Sequence, residues 1–297
     1  MPAYCIGFQN VIYQKKERSM NIENLMNEDI QIFDVTTYGL GIGEHKGKME
    51  YIARDDMVIC GLDYVIQILN KLSIECVLYA KDGDFVTKNT LVLECVSNAQ
   101  NLHYAWKISQ NLLEYLSGIA TYTHHMLLHA RKANPNITIA TTRKNFPNTK
   151  EMMIKAVLAG GGSVHRLGVY DSILIFKQHL IFLDDKLKLE EHFKQLKTKF
   201  IEKKVAVEVD TYEEALYFAS LGADTLQCEK MDFDTLKKCV SLKSQFPHLL
   251  LSATGGITVQ NAYAYAQCGV DLLVTSSPYH AKPLDIQIKI SKQEDNQ

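Results

Sequence analysis

Apolar residues recur every three or four positions from Leu102 through Ala105, Ile108, Leu112 and Leu116 to Ile119. This period predicts a long amphipathic helix across residues 101–132, with Lys107, Gln110, Asn111 and Glu114 on its polar face. Gly118 interrupts the pattern, which predicts an end or kink there and a domain boundary at the same point. Upstream, the pattern predicts strands at 48–53, 57–60, 75–79 and 90–96, one helix at 62–72, and a turn at Lys81-Asp82-Gly83-Asp84. That segregation of strands from helix is an α+β arrangement.

Beyond Ile137 the pattern changes. Short apolar runs at 138–141, 172–176, 205–209, 225–228, 249–253 and 272–275 alternate with helical patterns at 150–158, 212–221, 233–242 and 259–268. Repeated strand-then-helix units with apolar strands predict a parallel sheet covered by helices. An α/β barrel fits better than an open doubly wound sheet, because no G-x-G-x-x-G follows a strand and polar residues gather at strand C-terminal ends. The expected organisation is an extension over residues 1–19, an N-terminal α+β domain over 20–117, a C-terminal α/β barrel over 118–290 and a tail over 291–297.

The composition narrows the class. With 297 residues, 46% hydrophobic and 22% charged, the chain has the balance of a soluble globular protein of one large or two ordinary domains. No apolar run approaches the roughly 18 residues of a membrane helix, and the first nineteen residues lack a signal-peptide order. Seven scattered cysteines without a C-x-x-C pair predict reduced core residues in a cytoplasmic protein, and argue against structural zinc. His125 and His129 would share a helix face, but solvent-facing or hydrogen-bonded histidines explain them better than a metal.

A net charge of -2 makes any positive cluster a local feature, and there is one. The run Thr142-Arg143-Lys144 follows a predicted strand, and Gly160-Gly161-Gly162 precedes His165-Arg166. Guanidinium forks and an ammonium suit carboxylate or phosphate, and the glycine triplet would let backbone amides approach an anion. The expected partner is a small anionic molecule, not nucleic acid or membrane. Gly255-Gly256, between a predicted strand and helix, is a generic phosphate turn, with Thr275-Ser276-Ser277 at the next strand end. Glu208 and Glu229 end strands expected at the same mouth. They could bind ribose hydroxyls or Mg²⁺ accompanying a pyrophosphate, or pair with the cluster's own Arg and Lys side chains, and the two readings can coexist.

Taken in order, these residues resemble the quinolinate phosphoribosyltransferase (nicotinate-nucleotide pyrophosphorylase) family. The resemblance runs from about Asn27 to Ile290, through Asp34-Val35-Thr36-Thr37, Leu116-Ser117-Gly118-Ile119-Ala120-Thr121, the Thr-Arg-Lys run, the Gly-Gly-Gly-x-x-His-Arg run, Glu208-Val209-Asp210 and Gly255-Gly256-Ile257. Finer tokens resemble the ModD branch, named for its association with molybdate-transport genes: the stretch from Trp106 to Tyr115, Phe146-Pro147-Asn148-Thr149-Lys150, and Thr275-Ser276-Ser277-Pro278-Tyr279. The resemblance implies an N-terminal α+β domain, a C-terminal barrel, and a homodimer or larger homo-oligomer in which the neighbour completes each active site. It implies that Arg143, Lys144, His165 and Arg166 bind the carboxylates and the phosphoribosyl pyrophosphate, and that Glu208 faces the ribose. Glu229 stands where the family has Asp, while Gly255 and Gly256 match the 5′-phosphate loop. Thr142, Thr275 and Ser276 join the expected substrate-binding set, and Mg²⁺ would arrive with phosphoribosyl pyrophosphate on Glu208 and Glu229.

Two departures bear on the acceptor. Lys107 stands where the family donates an Arg across the dimer, exchanging a fork for a point charge. Phe176 occupies the position of a substrate-binding Lys, and Lys177, one residue along, should face the other way unless the strand has already ended. The reading that follows is transfer of phosphoribosyl to the ring nitrogen of quinolinate or a related aromatic acid, with nicotinate mononucleotide, pyrophosphate and CO₂ as products in the quinolinate case. The alternative is a non-catalytic anion or metabolite binder linked to molybdate transport.

Overall fold

The structure is a computed structural model that describes residues 22–183 and 186–293; the expected extension over 1–19 lies outside the described residues. The N-terminal part contains α1 (Ile22–Ile30), α2 (Val35–Gly39), β1 (Lys46–Ala53), β2 (Met57–Val58), α3 (Leu62–Lys71), β3 (Glu75–Leu78), β4 (Phe85–Val86) and β5 (Leu91–Asn98). It leads into α4 (Ala99–Arg131), a single helix of 33 residues. Asn98 starts that helix, its side chain accepting from the Asn101 amide.

Gly118 does not end α4, which runs on as one helix through that position. Glycine in a helix interior costs about 1 kcal/mol relative to alanine. Here a Cβ would lie 2.3 Å from the Lys282 carbonyl oxygen, so the absent side chain lets the segment before the last strand cross the helix. Flanking burial of Ser117 and Ile119 outweighs the local propensity. The same helix serves two cores. Leu102, Ala105, Leu113 and Leu116 pack with Met49, Tyr51 and Leu93, while Met126, Leu127 and Ala130 pack with Ile139, Val207 and Leu273.

The second part runs β6 (Thr138–Thr141), α5 (Lys150–Ala159), β7 (Ser163–Val164), β8 (Ile173–Ile175), α6 (Lys177–Leu180), α7 (Lys186–Lys199), β9 (Val205–Val209), α8 (Tyr212–Ser220), β10 (Thr225–Glu229), α9 (Phe233–Ser241), β11 (Leu250–Thr254), α10 (Val259–Gln267), β12 (Leu272–Thr275) and β13 (Ile286–Lys292). Seven strands form one parallel sheet in the order β7-β6-β12-β11-β10-β9-β8. The α/β-barrel expectation holds with one difference. The sheet curls as a half-barrel, and among the described residues its edge strands β7 and β8 do not pair. Those two strands have two and three residues, too few to carry the ladder around.

β13 returns to the N-terminal part, where it pairs antiparallel with β1 from Ala53↔Ile286 to Gly47↔Lys292. The resulting sheet has the order β13-β1-β5-β3. Residues 286–290, read from sequence with the barrel, therefore belong by hydrogen bonding to the N-terminal sheet.

Candidate active site

Parallel register brings the strand C-terminal ends to one level: Thr141 opposite Thr275, Val274 opposite Thr254, Thr254 opposite Glu229, and Gln227 opposite Glu208. Above this layer lies a cavity of about 500 Å³, lined by Thr142, Arg143, Lys144, His165, Arg166, Phe176, Glu208, Gln227, Glu229 and Thr254. Sequence reasoning placed six of these residues in the chemistry of one mouth, Arg143, Lys144, His165, Arg166, Glu208 and Glu229, and the structure brings all six together.

The loop bearing Arg143 is anchored. Tyr279, buried in the 3-10 turn Ser277–His280, donates its hydroxyl to Thr141 Oγ1 at 2.8 Å and lies 3.3 Å from the Thr142 carbonyl oxygen. The Lys144 amide donates to Thr142 Oγ1 at 3.2 Å, so Thr142 shapes the turn from within. Arg166 is buried, with its guanidinium 5.5 Å from the centre of the Phe176 ring. Burial, and then the like charge of Arg143, push its pKa down, yet a guanidinium stays charged. Among the described residues no ion pair involves Arg143, Lys144 or Arg166.

His165 is different. Burial, reinforced by the Arg166 charge, lowers its imidazole to about 4, so at neutral pH it offers hydrogen bonds and no charge. Glu208 is pushed above its ordinary value mainly by burial, and the repulsion of Glu229 and Asp210 adds to this; a hydrogen bond from Gln227 and the Lys144 charge oppose it. Glu229 lies 3.2 Å from Lys230 Nζ, and among the described residues neither carboxylate is paired with Arg143, Lys144 or Arg166. The pairing reading of these two glutamates is thereby corrected.

Other expected features fall elsewhere. The glycine triplet does not present amides to the mouth: those of Gly160, Gly161 and Gly162 bond the carbonyls of Ala156, Leu158 and Val157 at the end of α5. Its role is close packing, because a Cβ on Gly160 would come within 2.2 Å of the Ala120 carbonyl oxygen in α4. Thr275 is buried, with its hydroxyl donating to the Ile257 carbonyl at 2.7 Å and accepting from the Ser277 amide, so it braces two loops and does not face the cavity. Ser276 stands at the N-cap position of the following 3-10 turn without a side-chain capping bond. The Gly255-Gly256 turn follows β11 with φ of 92° and 71°, and a Cβ on Gly255 would meet Glu229 Oε1 at 3.0 Å. No described residue accepts a hydrogen bond from the Gly255 or Gly256 amide. The start of α10 is closed by its own Thr258 and Asn261, leaving the turn itself as the open amide site.

Lys177 gives the mouth no cation. β8 ends at Ile175, and Lys177 opens α6, bonding Asp210 at 2.6 Å with Glu214 at 3.4 Å. Phe176 does face the mouth, its ring stacked on His179 with centroids 5.6 Å apart. Lys107 is not at the mouth. It lies on α4 with its ammonium 4.4 Å above the Trp106 ring, lining a separate cavity with Asp34, Thr37 and His103. There Thr37 Oγ1 donates to Asp34 Oδ2 at 2.5 Å and lies 2.6 Å from His103 Nδ1. Since the hydroxyl has one proton and gives it to the carboxylate, His103 Nδ1 must donate.

Sequence reasoning missed Gln227 and Thr254. Gln227 stands two residues before Glu229 in the run Thr225-Leu226-Gln227-Cys228-Glu229, so strand alternation puts both on one face. That spacing was the available signal.

The folded unit is thus a parallel α/β half-barrel whose mouth gathers three cationic side chains, joined through a shared helix to an α+β domain. The family model of the quinolinate phosphoribosyl transferase C-terminal domain matches residues 119–289, and that of the N-terminal domain matches residues 34–117. The chain belongs to the quinolinate phosphoribosyltransferase family. It is 33% identical over 273 residues to a Pasteurella multocida ModD protein whose pyrophosphorylase designation is provisional, covering 92% of this chain and 97% of the relative. A protein of Methanothermobacter thermautotrophicus, also provisionally designated, as a carboxylating nicotinate-nucleotide pyrophosphorylase, is 27% identical over 277 residues, with 91% and 97% covered. The nicotinate-nucleotide pyrophosphorylase of Francisella tularensis shares the fold with a TM-score of 0.83 at 24% identity, over 91% of this chain and 94% of that one. Among the described residues no helix is long and apolar enough to cross a membrane.

Proposed function

We propose that the chain transfers phosphoribosyl from phosphoribosyl pyrophosphate to the ring nitrogen of quinolinate or a related aromatic acid. The observation that carries this reading is the mouth itself: three cations without an ion pair among the described residues, a neutral imidazole and two carboxylates around one cavity. Arg143, Lys144 and Arg166 bind the anionic groups, and the amides of Gly255 and Gly256 receive the 5′-phosphate. His165 orients a carboxylate by hydrogen bonding. Glu208 and Glu229 suit Mg²⁺, which takes a few carboxylates and completes its shell with substrate oxygens. When bound, the ion would neutralise charge on the departing pyrophosphate.

Transfer breaks the bond from ribose C1 to the pyrophosphate oxygen, which leaves with the electron pair, and forms a bond from C1 to the ring nitrogen. The cations of the mouth stabilise the charge that develops on the leaving group, an electrostatic form of catalysis without a protein nucleophile. With quinolinate, the carboxylate beside the nitrogen departs as CO₂ and its carbon takes up a proton. Phe176, stacked between Arg166 and His179, favours a flat aromatic acceptor with less charge than a lysine would demand.

The reading includes a homodimer. Lys107 and His103 line a cavity apart from the mouth, and large apolar side chains are exposed near both. Val35 and Tyr38 are exposed near the first, and Phe146, Tyr170 and Phe182 are exposed on loops that follow mouth residues. A second copy would cover both surfaces and carry Lys107 to the neighbour's mouth.

The test is pyrophosphate release by the purified chain with phosphoribosyl pyrophosphate and Mg²⁺, comparing quinolinate, nicotinate and no acceptor. Acceptor-dependent release supports transfer. Saturable binding of phosphoribosyl pyrophosphate with no release for any aromatic acid would overturn it and favour the binding role.

A further inference from the structure

We infer that Tyr279 is a positioning residue whose hydroxyl sets the two cation-bearing segments of the mouth, Arg143-Lys144 and His165-Arg166, against each other, and so sets how tightly the mouth holds an anion; this rests on the transferase reading above. The Tyr279 ring is buried in the N-terminal core, in the cluster that includes Ile119, Ala120 and Met152. Its hydroxyl reaches into the barrel, 2.8 Å from Thr141 Oγ1 and 3.3 Å from the Thr142 carbonyl oxygen. Thr141 is fully buried and ends β6, two residues before Arg143.

Thr141 is the joint between the two segments. Its carbonyl accepts from the His165 amide at 3.0 Å, and in the β6–β7 register it stands beside Val164, the residue before His165. Its Oγ1 lies 3.5 Å from the Ser163 carbonyl oxygen, at the long end of the hydrogen-bond range. Each hydroxyl has one proton to give. With Tyr279 donating to Thr141, the Thr141 proton is directed to Ser163, and one line of hydroxyls runs from the 3-10 turn through the end of β6 to β7. Burial pushes the Tyr279 phenol above its ordinary value, so it remains a donor.

The architecture gives this line its use. β7 has two residues and, among the described residues, pairs with β6 alone, because the half-barrel leaves its outer edge without a strand. The segments that follow β6 and β7 carry like charges, and that of Arg143 already acts on Arg166. Such segments drift apart unless they are tied, and their spacing decides whether guanidinium forks and ammonium converge on one anion. The other end of the tie is fixed. The Tyr279 amide donates to the Ser276 carbonyl at 3.0 Å, and the Ser277 amide donates at 3.0 Å to Thr275 Oγ1, which bonds the Ile257 carbonyl at 2.7 Å.

Tyr279→Phe keeps the buried ring and removes the donor, and Thr141→Val keeps the shape and removes the acceptor. The experiment measures binding of inorganic pyrophosphate to each variant and to the double variant by titration calorimetry, with urea midpoints on the same samples. Each single change should weaken binding by about three- to tenfold, the net worth of one hydrogen bond. The double variant should bind no worse than the weaker single, because both changes break one line. In turnover the loss should fall on KM for phosphoribosyl pyrophosphate with kcat nearly kept, since anion binding is weakened before and during transfer alike. Lower urea midpoints with unchanged pyrophosphate affinity would make the hydroxyl a bond of the fold alone and overturn the inference, and so would losses that add in the double variant. A wild-type chain that binds no pyrophosphate overturns it as well. If the wild-type chain binds pyrophosphate but releases none from phosphoribosyl pyrophosphate with any acceptor, the transferase reading fails, and the binding series still decides the role of Tyr279. Should Tyr279→Phe not fold, Thr141→Val decides alone: weakened binding supports the inference, and unchanged binding overturns it.

Discussion

His165 carries no charge in the folded mouth until the pH approaches about 4, because burial and the Arg166 guanidinium both disfavour the imidazolium. In the unfolded chain the same ring titrates near its ordinary value of 6.5. Between those values the unfolded state binds more protons, so stability rises with pH across the window and falls as the medium is acidified through it. His165→Asn keeps a hydrogen-bonding group and removes the titration. Urea midpoints measured between pH 4 and 7 should show the wild-type chain losing about 1 to 3 kcal/mol more than the variant on acidification. Equal losses in both proteins would mean that His165 is not held neutral. The cost has a use. A neutral ring among three cations adds no repulsion to an empty site, and an arriving anion meets a donor or acceptor instead of a fourth charge.

At the level of elements, α4 and α5 meet where side chains are missing. Gly160 ends α5 against the Ala120 carbonyl, and a Cβ on Gly162 would approach Thr123 Cγ2 to 2.7 Å. Gly160→Ala forces a methyl against backbone, which cannot yield as a flexible side chain would, and should destabilise the fold by about 1 to 3 kcal/mol or more in chemical denaturation. If the triplet were instead an anion loop, the same change would weaken phosphoribosyl pyrophosphate binding at unchanged stability. From sequence alone the triplet could not be assigned to packing, because its partners Ala120 and Thr123 lie in another element about forty residues away. The strands that carry the mouth were legible, since 138–141, 205–209 and 272–275 are short, predominantly apolar runs of the kind parallel burial produces, with their polar residues at or near the C-terminal ends. The short strand β7 has too few residues to show a period, and β13 alternates clearly in Ile286-Gln287-Ile288-Lys289-Ile290 but has its partner β1 more than two hundred positions earlier. Candidate site residues were legible where chemistry and strand ends coincide, as at Arg143 and Glu208. They were not where a polar residue such as Thr275 turns inward to bond a loop carbonyl.

At the scale of the whole molecule, Lys107 lies apart from the mouth that the resemblance assigns to it, beside Trp106 in a cavity of the N-terminal part. If it acts, a second copy must bring it to the site. A twofold-symmetric dimer has two such sites, each built from the barrel of one copy and the N-terminal domain of the other. Lys107→Ala and Arg143→Ala should then each be inactive alone, the first through the donated residue and the second through the resident one. After the two proteins are unfolded and refolded together in equal amounts, half of the dimers should be mixed. Each mixed dimer concentrates both lesions in one mouth and leaves the other intact, so activity should return to about a quarter of the wild-type value. A chain that acts alone leaves the mixture as inactive as its parents, and light scattering would then show a monomer despite the exposed Tyr38, Phe146 and Phe182. Recovery without a dimer mass would be inconsistent with both models, so activity and mass must be read on the same refolded sample. Recovery near a quarter at a dimer mass would place Lys107 in the neighbour's mouth, where its single charge would do part of the anion binding for which Phe176 provides no cation.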